Sequence, residues 1–251
     1  MWAVVACGGG DGDTSPAPDE DDNGSTALSL DNCLVEVSGQ TLEIATWNIE
    51  NFPQSNMSAD YVEQIVEAYN LDVIAVQEIT SQALFQSLVD NIDGWEGFVT
   101  QVNGGNQMVG YLYKTSEISI VGEAQNLYAD DTEEYNDAFT AFRRPYLVQI
   151  NHTSGFSTYL INVHMKCCDG SEDRRRSASQ LLKTYIDDNL ADENVIVLGD
   201  FNDEIVDATD NVFQNFIDDA DNFEFATMDI ASGPSSGWSY PSWPSHLDQI
   251  L

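Results

Sequence analysis

The sequence predicts an α/β protein in which β-sheets are layered against each other and against helices. Five short apolar runs have the length of buried strands, and each of them leads into a polar residue. Stripes of apolar residues at helical spacing lie between these runs. Strands that pack on a second sheet with one face and on helices with the other satisfy both observations, so a layered sandwich is the expected architecture.

The five apolar runs supply the strands that matter most for function. In chain order they are Leu42–Asn48, Asp72–Glu78, Tyr159–His164, Val195–Asp203 and His246–Leu251. A buried strand holds the side chain at its end rigidly, where loops open a site to substrate. One such run is usually a core strand with a polar cap, but five of them together predict an active site.

Three apolar stripes predict helices whose faces belong to the core. They are Val62, Ile65, Val66 and Tyr69; Ala178, Leu181, Leu182 and Tyr185; and Phe213, Phe216, Ile217 and Ala220. Ser58 is the expected N-cap of the first helix. Further strands are expected over 108–113 and 145–150, with loops over 103–106 and 128–137.

Charge restricts the partners of the chain. The 251 residues carry 43 acidic and 8 basic side chains, a net charge of −35, which repels polyanions at long range unless salt screens it. The basic residues all lie between Lys114 and Lys183, which suggests local handling of an anion. For the triplet Arg174–Arg176, pairing with the acidic surface is an equally open interpretation.

The N-terminal segment predicts export. Residues 1–7 look like the end of a lipoprotein signal, in which Cys7 would become a lipidated membrane tether, although the basic start of such a signal is missing. Residues 8–38 form an acidic flexible tether, and 39–251 form the domain. We therefore expect a secreted or cell-envelope protein, monomeric and without an obligate protein partner. One disulfide, joining Cys33 to Cys167 or Cys168, is compatible with that location.

Six motifs, in this order, resemble those of the endonuclease/exonuclease/phosphatase superfamily, the group of DNase I, exonuclease III and the neutral sphingomyelinases. They are Trp47–Asn51, Gln77–Glu78, Arg143–Pro145, Asn162–His164, Gly199–Asn202 and Leu247–Ile250. The resemblance covers residues 41 to 251. It implies a four-layer α/β/β/α sandwich of two mixed β-sheets flanked by helices, and a phosphodiester hydrolase that uses Mg²⁺, with Mn²⁺ or Ca²⁺ as alternatives.

The resemblance also assigns roles that suit phosphodiester cleavage, in which negative charge grows on a group that is already anionic. Glu78 is the principal metal ligand and Asn48 a second, because Mg²⁺ prefers oxygen ligands. Asp200 and Asn202 would both point at the attacking water, Asp200 taking or orienting its proton.

Two basic side chains complete the catalytic set that the resemblance implies. His164 would bind a phosphate oxygen or protonate the leaving oxygen, since an ordinary histidine is easily charged. Arg143 would grip the phosphate with its planar fork. Arg144 fits the motif less well, and we expect it to face solvent.

One departure from the family concerns the C-terminus. The family's last element is a Ser-Asp-His triplet beyond the Leu-Asp-x-Ile strand, whereas this sequence stops at Leu251. His246 precedes Asp248 and is not that histidine, so Asp248 resembles the carboxylate that orients it. We expect a chain truncated at its C-terminus, without its last strand and Ser-Asp-His element, and poorly active in this form.

The leading functional hypothesis is an extracellular or surface-tethered endonuclease with nucleic acid as its substrate. A phosphatase or a phospholipid phosphodiesterase of the sphingomyelinase kind is the alternative among enzymes, because a fold does not decide between substrates. A non-catalytic surface binding domain is the alternative of another class.

Overall fold

The structure is a computed structural model of the chain, and it describes residues 28, 30, 40–100, 107–140, 142–240 and 244–251. The predicted signal remnant 1–7 with Cys7, nearly all of the tether 8–38 with Cys33, and the predicted loop 103–106 lie outside these residues. No helix in the described ranges is long and apolar enough to cross a membrane.

The described residues form nine strands and six helices. The strands are β1 (Ile44–Phe52), β2 (Val73–Ile79), β3 (Trp95–Val99), β4 (Met108–Lys114), β5 (Ile118–Asn126), β6 (Tyr146–His152), β7 (Ser157–His164), β8 (Val195–Asp200) and β9 (Asp248–Ile250). The helices are α1 (Ser58–Tyr69), α2 (Gln82–Asn91), α3 (Glu133–Phe139), α4 (Glu172–Asn189), α5 (Gln214–Ile217) and α6 (Met228–Ala231). A single 3₁₀ turn spans Ser235–Gly237.

The strands form two mixed sheets. The N-terminal sheet has the order β1-β2-β4-β3, and the C-terminal sheet has the order β5-β6-β7-β8-β9. The pairs β1/β2 and β7/β8 are parallel, and the remaining neighbours are antiparallel. Two mixed sheets flanked by helices confirm the predicted α/β/β/α sandwich.

Three apolar layers hold the sandwich together. Tyr111 and Leu160 belong to the layer between the two sheets. Val66 of α1 and Phe85 of α2 pack on the outer face of the N-terminal sheet. Leu182 of α4 packs on the outer face of the C-terminal sheet, in a cluster that also includes α3, α5 and α6. Burial of these faces excludes water from both sheets and fixes their spacing.

A polar network crosses the apolar layer between the sheets. Gln77, which is fully buried in β2, donates from Nε2 to Asn162 Oδ1 of β7 at 2.8 Å and to Thr46 Oγ1 of β1 at 3.0 Å. Asn162 is also fully buried, and its Nδ2 donates to the carbonyls of Val76 and Gly110 at 3.1 and 2.8 Å. Gln77 and Asn162 therefore join the two sheets. Their hydrogen bonds form only when β2 and β7 lie at one fixed position relative to each other.

The network predicts a large cost for removing its central amide. We expect Asn162→Ala to lower the free energy of unfolding by about 3 kcal/mol, because it removes three buried hydrogen bonds and the side chain that fills the space between the sheets. Urea denaturation measures this loss. Asn151→Ala, an exposed asparagine on β6, is the matched control and should change stability by less than about 0.5 kcal/mol. Equal losses in the two variants would contradict the bridging role.

Several sequence predictions need correction. Ser58 is the first residue of α1 and not its cap; the N-cap is Met57, without a side-chain hydrogen bond. The third predicted helix is shorter, since α5 covers only Gln214–Ile217. The predicted loop 128–137 contains most of α3, whose acidic sequence buries only Ala138 and Phe139.

The basic residues outside the site are mostly structural. Arg144 is only 4% exposed, so the prediction that it faces solvent is wrong. It donates to the carbonyls of Tyr135 and Asp130 and to Asn136 Oδ1, because the segment around α3 needs a donor for these acceptors.

The arginine triplet pairs with acidic side chains. Arg174 lies near Asp137 at 3.4 Å, while Arg175 and Arg176 each approach a carboxylate at 2.8 Å, those of Asp203 and Asp210. Of the two open interpretations, pairing with acidic residues is therefore the one that the structure shows.

Candidate active site

Side chains from both sheets meet where β1, β2, β7 and β8 end. Asn48 of β1 donates from Nδ2 to Glu78 Oε1 of β2 at 3.2 Å and to Asp200 Oδ2 of β8 at 2.9 Å. His164 of β7 pairs with Asp200 in the parallel register, and its Nε2 lies 3.6 Å from Asp200 Oδ2 and 3.7 Å from Glu78 Oε1. The carboxyl ends of two parallel strand pairs thus place four predicted site residues together.

Glu78 is aimed at this point by an irregularity in its strand. The pairing of β2 with β1 shifts register between Asn48 and Phe52, and its pairing with β4 shifts between Val76 and Ile79. Glu78 sits in that interval with φ +64°, a conformation that costs free energy for a residue with a side chain. The Asn51 N–H donates to Glu78 Oε2 at 3.1 Å. The bulge therefore turns Glu78 out of strand alternation and into the site.

His164 and Arg143 form a contacting pair at the site. Arg143 Nη1 lies 2.9 Å from His164 Nε2, and both residues are buried. Burial, followed by the charges of Arg143 and Lys166, lowers the pKa of His164 to about 3. This lowered pKa favours the neutral imidazole, so the protonation of His164 that the sequence suggests stays a prediction. Because the guanidinium can only donate, Nε2 is the acceptor in this contact.

Asp200 lies at the end of β8 and is only 6% exposed. Burial, and then the charges of Asp248 and Glu78, raise its pKa, although Asn48 and the Asn202 N–H oppose that rise. The Asn202 N–H donates to Asp200 Oδ1 at 2.9 Å. Asn202 Nδ2, however, donates to the carbonyl of Met165 at 3.2 Å. Asn202 thus holds Asp200 through its backbone, and its side-chain Nδ2 is bonded to the Met165 carbonyl.

Asp248 lies directly across from Asp200 in the β8/β9 pair. Its backbone N–H donates to Ser239 Oγ at 3.1 Å, and burial raises the pKa of its carboxyl to about 6. Its Oδ1 is buried and has no hydrogen-bond partner among the described residues. A buried carboxylate oxygen without a partner needs a hydrogen-bond donor or a cation. This suits the role predicted for Asp248, a carboxylate that orients another side chain.

The donor set fits a hard cation in part. Within the described residues, no group of three or more His, Cys, Asp and Glu side chains has the arrangement of a metal site. Glu78 Oε1 and Asp200 Oδ2 nevertheless both accept a hydrogen bond from one side-chain amide nitrogen, Asn48 Nδ2. Exchanging the oxygen and nitrogen of this amide would present Oδ1 beside Glu78, the other ligand predicted from the sequence, and would give up the bond that Oδ1 accepts from the Glu50 N–H at 3.0 Å.

The comparison with protein families decides the ancestry of this arrangement. A model described as the Endonuclease/Exonuclease/phosphatase family matches residues 45–251, which include every element from β1 to β9 apart from Ile44. The chain belongs to this family. Family membership supports a phosphoester hydrolase. No curated protein gives a significant sequence match.

Solved structures share the fold of this family member at low sequence identity. The human Nocturnin catalytic domain with bound sulfate is 19% identical with a TM-score of 0.62, and the match covers 86% of this chain and 83% of Nocturnin. D. rerio TDP2 in complex with a single-stranded DNA product is 17% identical with a TM-score of 0.61, covering 83% and 82%. The mannosyl-6-phosphatase Bt3783 of Bacteroides thetaiotaomicron is 18% identical with a TM-score of 0.56, covering 70% of each chain.

Some residues of this endonuclease/exonuclease/phosphatase site have no motif that reveals them. Ser239 accepts the N–H groups of Leu247 and Asp248 at 3.0 and 3.1 Å, and no pattern around it predicts that. Arg175 donates to Asp203, directly after Asn202, and to the carbonyl of Lys166. The one signal in the sequence for the Arg175–Asp203 ion pair is an acidic residue directly after a motif, which needs a basic partner when it is buried.

Proposed function

We propose that the chain is a divalent-metal-dependent phosphodiester hydrolase. The observation that supports this most is the meeting of Asn48, Glu78 and Asp200 around one point, with the Arg143–His164 pair beside it. Carboxylates on one side and a buried guanidinium on the other suit an anionic centre that gains charge during reaction.

The side chains divide the reaction between them in this proposal. Asp200, in its carboxylate form, takes the proton of the attacking water. Arg143 holds a phosphate oxygen, for which its Nε, buried and without a partner among the described residues, is one available donor. His164 is neutral and orients Arg143 or bonds a phosphate oxygen. Mg²⁺ held by Glu78 and Asn48 would neutralise developing charge, with Mn²⁺ or Ca²⁺ as alternatives.

Nucleic acid is the leading substrate class, and a small phosphoester is the alternative that one observation favours. Six of the eight basic residues already contact carboxylates or carbonyls: Lys114, Arg144, Arg174, Arg175, Arg176 and Lys183. Arg143 and Lys166 remain near the site. A long polyanion would find few cations along its backbone, so a nuclease of this kind should prefer short or single-stranded segments and high salt.

The substrate experiment compares four phosphoesters with one enzyme preparation. The protein is expressed from its full reading frame, and release from a DNA oligonucleotide, a soluble phosphodiester, a soluble phosphomonoester and phospholipid vesicles is measured with Mg²⁺ and with excess chelator. The proposal expects diester cleavage that the chelator abolishes. Activity that survives the chelator contradicts the metal dependence, and preferred monoester or lipid cleavage moves the assignment to the alternatives.

Replacing Glu78 tests its role as the principal ligand. We expect Glu78→Gln to raise the Mg²⁺ concentration for half-maximal activity by about tenfold or more, because a neutral amide binds a hard cation more weakly than a carboxylate. Titration of activity with Mg²⁺ measures the shift. Glu50→Gln removes an exposed carboxylate close to Asn48 and is the control. An unchanged requirement in Glu78→Gln would point to another ligand.

Location and partners are part of the same proposal. We propose a secreted or cell-envelope protein, tethered through lipidated Cys7, monomeric and without an obligate protein partner. Radiolabelled lipid incorporation that is lost in Cys7→Ser would support the tether. A non-catalytic binding domain remains the competing class, and the absence of any turnover together with retained phosphate binding would favour it.

A further inference from the structure

Two adjacent thiols stand at the rim of the site. Cys167 and Cys168 follow β7 and precede α4, only a few residues after His164. Among the described residues, which exclude Cys7 and Cys33, neither forms a disulfide; Cys167 is half-buried and Cys168 is exposed. Hydrogen bonding to Cys167, and then burial, raise the pKa of the Cys168 thiol. Neighbouring positions in the chain keep the two thiols within reach of each other.

The backbone of this dithiol segment is held in place. Cys168 has φ +80°, which is unusual for a residue with a side chain. Its carbonyl accepts from Arg175 Nη1 at 3.2 Å and from the Ser171 N–H at 3.3 Å. Arg175 is itself fixed by Asp203 at 2.8 Å. A buried arginine thus maintains the turn that brings the thiols together.

The segment also touches the phosphate-binding side of the site. Burial lowers the pKa of Arg143, and a negative charge on Cys167 opposes that lowering more than Asp200 does. A charge on Cys167 therefore contributes to the electrostatic surroundings of the Arg143 guanidinium. A chemical change at Cys167 would therefore alter the electrostatic surroundings of Arg143, the residue that the proposed function assigns to phosphate binding.

We propose that Cys167 and Cys168 form a redox modification site, which closes to a vicinal disulfide on exchange with a small-molecule disulfide such as oxidised glutathione. The sulfur of exposed Cys168 attacks the disulfide and releases one thiol, which takes up the Cys168 proton. The sulfur of Cys167 then attacks Cys168 and releases the second thiol with the Cys167 proton. The two cysteines are oxidised and the small disulfide is reduced to two thiols, so atoms and electrons balance.

Peptide mass analysis tests ring formation without any activity assay. Trypsin cuts after Lys166 and Arg174, so the peptide 167–174 contains both cysteines and excludes Cys7 and Cys33. After oxidised glutathione and alkylation of remaining thiols, this peptide should be unalkylated and about 2 Da lighter than its reduced form. Cys167→Ser and Cys168→Ser should each keep a glutathione adduct instead. A stable adduct on the unmodified sequence, or a disulfide to Cys33, would overturn the proposal.

The effect on activity rests on the proposed function. An S–S bond is about 2.05 Å long, shorter than any contact between two thiols, so closure moves the Cys167 sulfur towards Cys168, and oxidation removes the thiol that can carry charge beside Arg143. We expect KM for a phosphodiester to rise about threefold or more in the oxidised protein, with a smaller change in kcat, and both to be restored by reductant. Equal KM values for the oxidised and reduced protein would remove the link to Arg143. An inactive protein that still forms the ring would refute the proposed function instead.

Discussion

Asp200→Asn should reduce kcat by about 10²–10⁴-fold, the usual contribution of a positioned general base. Asparagine has almost the same shape, and its side-chain oxygen can still accept the Asn202 N–H that bonds Asp200 Oδ1. It cannot take a proton from water. The variant should remain folded, because a buried carboxylate near Asp248 and Glu78 is replaced by a neutral amide, and this gain offsets the loss of the bond that Asp200 Oδ2 accepts from Asn48 Nδ2.

The measurement needs a nearby carboxylate as its control. Asp207 lies on the same loop side of β8 but is exposed, and Asp207→Asn should keep activity within about twofold. Steady-state kinetics on a soluble phosphodiester and thermal unfolding are recorded for both variants. Near-normal turnover in Asp200→Asn would refute the role as general base, and an unfolded variant would show that the carboxylate is structural.

Gly199→Ala should cost the protein about 4 kcal/mol or more of its free energy of unfolding. Gly199 has φ +146°, and a Cβ at this position would lie 2.0 Å from the carbonyl oxygen of Val163 on the neighbouring strand β7. That oxygen belongs to the backbone and cannot move without disturbing the ladder of β7 and β8. The glycine in this motif is therefore required by close approach between strands, beside its effect on the turn.

Gly155→Ala is the control that measures the free energy lost to a positive φ without any steric clash of the added Cβ. Gly155 also has positive φ, +91°, but an added Cβ would meet no atom within 4 Å. Its replacement should cost only about 1 kcal/mol, the price of the backbone conformation. Urea denaturation of both variants gives the comparison. Similar losses in the two variants would contradict the collision with Val163.

The sequence predicted the strand ends because their residues combine two visible signals. A buried strand needs an apolar run, and a site at its end needs a polar residue directly after it, as in Tyr159–His164. Strand β5 lacks the first signal, since at the edge of its sheet only Ile118 is buried. Helix α3 lacks it as well. Exposed elements of this kind are held by their neighbours and leave little trace in their own composition.

The orientation and protonation of the site residues were harder to predict from the sequence than their identity. The sequence identifies Asn202 and His164, but the amide of Asn202 bonds a carbonyl that belongs to Met165, and every residue has such a carbonyl. The charge state of His164 depends on burial and on Arg143, which is distant in sequence. The burial of Arg144 has the same cause, because its partners are mainly backbone oxygens. Orientation and protonation are properties of the assembled fold.

The site is divided between the two sheets, with Asn48 and Glu78 on one and His164 and Asp200 on the other. The rate of hydrolysis should therefore depend on the relative position of the two sheets. In rising denaturant, hydrolysis should disappear before the strands melt, because a slight sliding of one sheet past the other separates the two halves of the machinery. Tyr111 lies in the layer between the sheets, and its hydroxyl donates to the Tyr146 carbonyl of the other sheet at 2.7 Å. Removing such a bond should lower the rate by disturbing the alignment of the two sheets.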